Sequence, residues 1–351
     1  MIWPSPGATA YVLQGDPART DLVRRLDARV REWRGVLLAP PPRASDGLAD
    51  DSPMGWQLVP RRRHAAVRVV VFAGVLALGL VLFGMLARVV APHSDAVGAT
   101  SELAAAVTAY AVVLGVLERR RQPLELLPRR WPGLLIRLAG GALLCAAVVG
   151  IIALLGGYVA TGVDWSRPGP GALWTLGVVA GVSEEIIFRG ILLRLLEPAL
   201  GTWGATALSA LVFGAIHLVN PQASWTGAVA VAVEAGLALG LLYALTRSLW
   251  LVIGAHAGWN LAQGPFFGVP VSGTPTGHGV LVSHPAGSAL LSGGTFGIEA
   301  SLVSVGCWSV VALGLGILLV RGGRVVSPAV IRHRRLPGNP PDDPPPGRPG
   351  A

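Results

Sequence analysis

Three short polar clusters stand in stretches that otherwise read as hydrocarbon. The first is Glu184-Glu185 with Arg189, in an apolar segment that begins near Ala172. The second is Phe213 with His217, and the third is His256 with Asn260. A charge at the centre of a bilayer costs about 2.5–3.5 kcal/mol on insertion scales, so ionisable residues placed there are candidates for function. Taken alone, the first cluster reads equally well as a structural ion pair between helices. Histidines in two further apolar segments tilt the reading toward chemistry. A carboxylate and two imidazoles in a dry cavity suit hydrolysis, by either of two routes. In one, His217, His256 and a glutamate hold zinc or another divalent ion, which lowers the pKa of a bound water. In the other, Glu184 is a general base on a water that His217 positions, while His256 and Asn260 donate to the oxyanion. The residues fit both routes. The chain has no His-Glu-x-x-His helix, the commonest zinc protease signal.

Helical geometry says how the clusters present themselves. Glu185 and Arg189 are four residues apart and share a face, so they can pair. Glu184 points about 100° away and is free to face another neighbour. The pairs Phe213/His217 and His256/Asn260 each share a face as well. A turn near Leu200-Gly201 would fold the first two segments into a hairpin. Glu184 and His217 are nearly equidistant from it along the chain, so both lie about 25 Å from the tip.

The elements that must hold these groups are membrane helices. The chain has 351 residues, of which 52% are hydrophobic and 13% charged. With a mean hydropathy of +0.59, this is the composition of a membrane protein. The net charge is +9, and all 28 basic residues are arginines, which reflects coding bias rather than nucleic-acid binding. Eight apolar segments are long enough, or nearly so, to span a bilayer: 68–91, 102–117, 133–160, 171–193, 203–219, 225–245, 248–263 and 300–320. Arginines gather before the first, between the second and third, and after the fourth, sixth and eighth. The alternate loops hold only Arg88 and Arg167. Eight spans with both termini cytosolic satisfy the positive-inside rule. The expected fold is therefore an all-α, polytopic membrane bundle, a multi-pass protein of a bacterial cell membrane.

Residues 1–60 read as a cytosolic extension, residues 61–325 as the membrane domain and residues 326–351 as a disordered Pro/Arg-rich tail. Leu22, Leu26, Val30, Trp33 and Leu37 recur at helical spacing among arginines after Asp16-Pro17. That basic amphipathic helix lies either on an anionic membrane surface or on a soluble extension. A Pro-rich linker follows it. The loop 264–299 has no Lys or Arg and is expected on the non-cytosolic side, folded back over the bundle. Cys145 and Cys307 lack metal-ligand spacing and read as small core residues. Glu234, mid-segment, lines a cavity or binds a substrate residue, or else makes a hydrogen-bonded or protonated helix contact, and the contact is the favoured reading.

The three clusters in order, Glu-Glu-x-x-x-Arg, Phe-x-x-x-His and His-x-x-x-Asn on successive apolar segments, resemble the CPBP intramembrane endopeptidases. That family includes the type II CAAX prenyl endopeptidases and bacteriocin-immunity relatives. The resemblance covers about 170–263 and every motif position is present. It implies a helical membrane core with Glu184 activating water and His217 assisting. His256 and Asn260 would bind a metal or stabilise the oxyanion, and Glu185 and Arg189 would support the site. The substrate would be a membrane-anchored or lipidated peptide or protein, with the lipid bilayer as a partner and no nucleic acid. Two other functions fit the same residues. One is a non-catalytic scaffold or chaperone; the other is an ion-coupled transporter, against which the lack of internal repeats counts.

Overall fold

The computed structural model describes residues 65–119, 123–275 and 279–328. The amphipathic helix and linker expected before residue 61, and most of the tail, lie outside the described residues. Eight long helices carry most of the described residues. They are α1 (Ala65–Val90), α2 (Asp95–Leu117), α3 (Pro132–Leu154), α4 (170–200), α5 (202–216), α6 (Trp225–Thr246), α7 (249–266) and α8 (Leu302–Arg321). A pair of short strands, β1 (Tyr158–Val163) and β2 (Leu281–Pro285), pairs antiparallel with a bulge between Ala160 and Gly162. The fold is mostly helical, with this small sheet as the addition to the all-α expectation.

Five of the described helices are long and apolar enough to cross a membrane: α1, α2, α3, α6 and α8. Their outward faces carry large apolar side chains, among them Leu78, Leu82 and Met85 on α1 and Val310, Leu313 and Val320 on α8, all exposed. Such a surface is unfavourable in water and is solvated by lipid. The chain is an integral membrane protein. The other three helices, α4, α5 and α7, bear the polar clusters.

Helix ends follow local chemistry. Ser94 caps α2 by accepting from Val97 N. This helix therefore starts at Asp95, well before the expected 102, and Glu102 sits inside it. The third segment, expected to run to 160, stops at Leu154. Gly156, at φ 81°, closes it with bonds from Gly156 N to Ala153 O and Gly157 N to Ile152 O. Those two bonds make a Schellman stop, and the chain leaves it as β1. The expected turn at Leu200-Gly201 forms where Gly201 adopts φ 71°, ψ 172° and separates α4 from α5.

Helix α7 lies at the centre of the bundle, with every residue from 251 to 260 buried. Glycines bring it against its neighbours. A Cβ on Gly254 would overlap the Leu134 carbonyl, and one on Gly258 the carbonyl of Leu138. This small-residue seam sets α7 on α3 at backbone contact, as membrane helices commonly do. On its other side, Gly181 of α4 meets Ala257.

Both ends of the bundle are tied by polar contacts. At one end, Arg194 donates through Nη1 to both oxygens of Glu118 (2.7 and 2.6 Å) and lies 3.5 Å from Glu125, which also accepts from Tyr110 OH. Glu197 accepts from Arg247 and Thr202, while Thr202 N and Oγ1 bond Val326. The paired Glu197 carboxylate holds the Arg247 guanidinium above its ordinary pKa, outweighing the opposing effect of burial. At the other end, the segment between α7 and α8 folds back over the bundle. Phe296 packs there with Phe188, Phe213 and Val231, Asn220 Nδ2 donates to Ser272 O at 2.6 Å, and Tyr158 OH donates to Phe267 O at 2.8 Å.

Candidate active site

The site begins with helix α4. Turns of wide, π-type pitch flank the short α-helical stretch Gly181–Glu185 on both sides. Such turns shift which face each side chain takes and are frequent at functional sites. Here Glu185 turns into the protein and Glu184 toward a cavity. Glu185 is fully buried and Arg189 is 1% exposed. Arg189 Nη1 donates to Glu185 Oε1 at 2.8 Å. Its Nη2 donates to Ala235 O and, at 3.3 Å, to Gly236 O, where α6 also runs in a wide turn. The guanidinium lies 5.0 Å from the centre of the Phe213 ring, a cation–π contact. One arginine thus joins α4, α5 and α6.

Glu185 Oε1 also takes His256 Nδ1 at 2.8 Å. A carboxylate can only accept here, so Nδ1 carries the hydrogen and Nε2 is left for the cavity. His256 Nε2 lies 4.0 Å from Glu184 Oε2. His217 is fixed in the same way. Its Nδ1 lies 2.7 Å from Phe213 O, and a carbonyl likewise only accepts, so Nε2 of this ring is again the free nitrogen. Phe213 packs against both imidazoles, with ring centres 4.8 Å from His217 and 6.3 Å from His256. Asn260, one turn beyond His256, donates from Nδ2 to Leu176 O at 3.3 Å and ties α7 to α4.

These groups line a cavity of about 590 Å³. Glu184, His217, His256 and Asn260 all face it, with Ser183, Phe188, Phe213 and Trp259 in its wall. Of the six residues singled out in the sequence, four therefore reach the cavity, while Glu185 and Arg189 stand behind it. Glu184 is the most accessible of the carboxylates on α4, its side chain 24% exposed. Its Oε2 is nonetheless buried and makes no hydrogen bond among the described residues. Among the described residues, no three His, Cys, Asp or Glu side chains stand close enough to hold a metal ion. The pair His217 and His256, considered as metal ligands, does not complete such a set.

Three further carboxylates line the cavity. Glu234 belongs to it and also makes the expected helix contact, with Ser304 of α8. Glu102 of α2 lines it and lies within Coulombic reach of Glu184. Glu299 enters from the cap. Neither Glu102 nor Glu299 belongs to any motif. Glu102 was hidden by placing it at the edge of an apolar segment, and Glu299 by its Gly- and Ser-rich surroundings. The position of Glu102 inside α2 follows from the Ser94 cap, which was the available signal.

The molecule is thus a polytopic membrane protein whose helices enclose an acidic, histidine-bearing cavity. Residues 167–262 match the family model described as Type II CAAX prenyl endopeptidase Rce1-like. The match holds all three motifs and covers roughly a quarter of the chain. No curated protein and no solved structure matches the chain. The family implies a protease.

Proposed function

We propose that this chain is an intramembrane endopeptidase that hydrolyses a peptide bond of a membrane-anchored or lipidated peptide. The observation that carries the reading is the Glu184 carboxylate, buried at Oε2 without a hydrogen bond and facing a cavity shared with His217, His256 and Asn260. Glu184 takes a proton from a water, and the hydroxide adds to the scissile carbonyl. His217 accepts from that water through Nε2 and orients it, because its Nδ1 hydrogen is committed to Phe213 O. The tetrahedral oxyanion is met by Asn260, whose second amide hydrogen is free of Leu176, and by His256 when protonated at Nε2. Glu184 then returns its proton to the departing amine. Glu185 and Arg189 hold His256 in place and touch neither water nor substrate.

The proposed route is metal-free, since among the described residues no three His, Cys, Asp or Glu side chains stand close enough together to hold a metal ion; a chelator tests the metal route. Eight spans with both termini in the cytosol complete the reading, on the arginine distribution, and a bacterial cell membrane is its proposed location. Cleavage of a membrane-peptide library by the purified protein tests it. Wild-type cleavage should fall by about 10²–10⁴-fold in Glu184→Gln, the range of a lost general base. A strong chelator should leave the wild type active; inhibition reversed by zinc replaces the glutamate route with a metal one. Restored cellular function by Glu184→Gln without cleavage replaces the protease with a scaffold.

A further inference from the structure

The cavity holds acidic groups that this hydrolytic scheme does not use. Glu234 on α6 is 2% exposed and lines the cavity, and its Oε1 has no hydrogen-bond partner among the described residues. Glu299, in the cap just before α8, lines the same cavity within Coulombic reach of Glu234. The cap holds Glu299 in place. Ser272 donates to Oε1 from N (2.9 Å) and Oγ (3.0 Å), and Gln263 Nε2 donates to Oε2. Glu299 is therefore held in a fixed position, while Glu234 keeps an open acceptor at Oε1.

No cation among the described residues answers them. All 28 basic residues of the sequence are arginines, and none of the described ones lines the cavity. Arg189, bound to the carbonyl next along the chain from Glu234, is already engaged by Glu185, Ala235 and Gly236. Ser304 of α8 lies beside the Glu234 carboxylate without satisfying Oε1. A buried carboxylate oxygen left without a partner is costly, and a protein that keeps one at a cavity wall has a reason in what enters the cavity.

We propose that Glu234, reinforced by Glu299, is an acidic subsite that receives a cationic group of the peptide substrate, an arginine or lysine side chain or a free amino terminus. The subsite rests on the endopeptidase reading and names the class of peptide that reading requires. It selects peptides by charge in a cavity whose walls are otherwise mostly apolar. A charge-assisted bond to Glu234 forms only with a substrate that brings the cation.

The test is binding, measured apart from cleavage. Fluorescent Leu/Ala nonapeptides in nanodiscs are titrated with full-length Glu184→Gln protein. One peptide carries a single arginine with an acetylated amino terminus, one carries citrulline in its place, and one carries citrulline with a free amino terminus. At least one cationic peptide should bind about tenfold or more tighter than the neutral one, the scale of a hydrogen bond between charged groups. The two cationic arms tell a side chain from a terminus. Adding Glu234→Gln should bring the ratio near one, and Glu234→Asp should keep it. Thermal midpoints show that the variants are folded. Equal binding of all three peptides overturns the subsite, as does binding that follows added sodium or calcium instead of peptide charge. The same peptides are offered to the wild type. Cleavage without charge preference sinks the subsite alone, whereas charge-dependent binding without cleavage sinks the protease reading alone.

Discussion

His256 and Glu185 meet across α7 and α4 at 2.8 Å, Nδ1 to Oε1, and the same oxygen accepts from Arg189 at 2.8 Å. A histidine that presents itself to the cavity is thus fixed by a carboxylate that never reaches it. Glu185→Gln should leave the fold of α4 in place but free the His256 ring and strand the Arg189 charge. Loss of such a supporting group costs about 10–100-fold in activity. Breaking a buried pair costs about 3–5 kcal/mol of stability. Steady-state cleavage and thermal midpoint should fall together in Glu185→Gln, whereas Glu184→Gln should lose cleavage with its midpoint kept. Equal midpoints in the two variants would contradict this division of roles.

Arg189 makes the complementary case. Its planar fork serves Glu185 and two backbone carbonyls on α6 while its face lies on Phe213. Lysine keeps the charge but has neither the fork nor the stacking surface. Arg189→Lys should lower the thermal midpoint and cut kcat more than it changes KM, because the residue positions and does not bind. A variant with wild-type kcat would remove Arg189 from the site.

The seam between α7 and α3 gives a steric prediction. A methyl at Gly258 would collide with the backbone carbonyl of Leu138, which cannot rotate away. Overpacking of this kind costs about 1–3 kcal/mol or more. Gly258→Ala should destabilise the protein and, by moving α7, draw His256 and Asn260 out of register with Glu184. Gly306→Ala on α8 is the control, since nothing lies within 4 Å of a Cβ there. It should be neutral in both assays.

Stability should also depend on pH through Glu299. Burial pushes its carboxyl from the ordinary 4.5 up to about 7, although bonds from Gln263 and Ser272 pull the other way. The folded value lies above the unfolded one, so the folded protein binds the proton more tightly. The stabilisation is complete below 4.5 and is lost as pH rises toward 7, by on the order of 3 kcal/mol at most. Thermal midpoints in nanodiscs should fall across that window. Glu299→Gln should flatten the fall, and an unchanged slope would assign the titration to another group.

The membrane character, the turn at Gly201 and the four residues facing the cavity were legible in the sequence. Each follows from a local rule: polar groups in an apolar run are conspicuous, the 3.6-residue period sorts their faces, and a glycine between two helices marks the bend. The end of α3 at Leu154 was legible too, in Leu155-Gly156-Gly157, but hydropathy alone overran it.

Tertiary structure decided the rest. Helical spacing separates Glu184 from Glu185 by about 100°, but only packing against α5, α6 and α7 turns Glu184 to the cavity and buries Glu185 behind it. Glu234, Glu299 and Glu102 carry no motif, and they come together only because the cap between α7 and α8 closes over α6 and α2 flanks the cavity. Such convergence depends on contacts between residues far apart in the chain, which no local period encodes. Residue type and spacing determined which polar groups stand in the apolar segments; the close approach of the helices determined which carboxylates face the cavity.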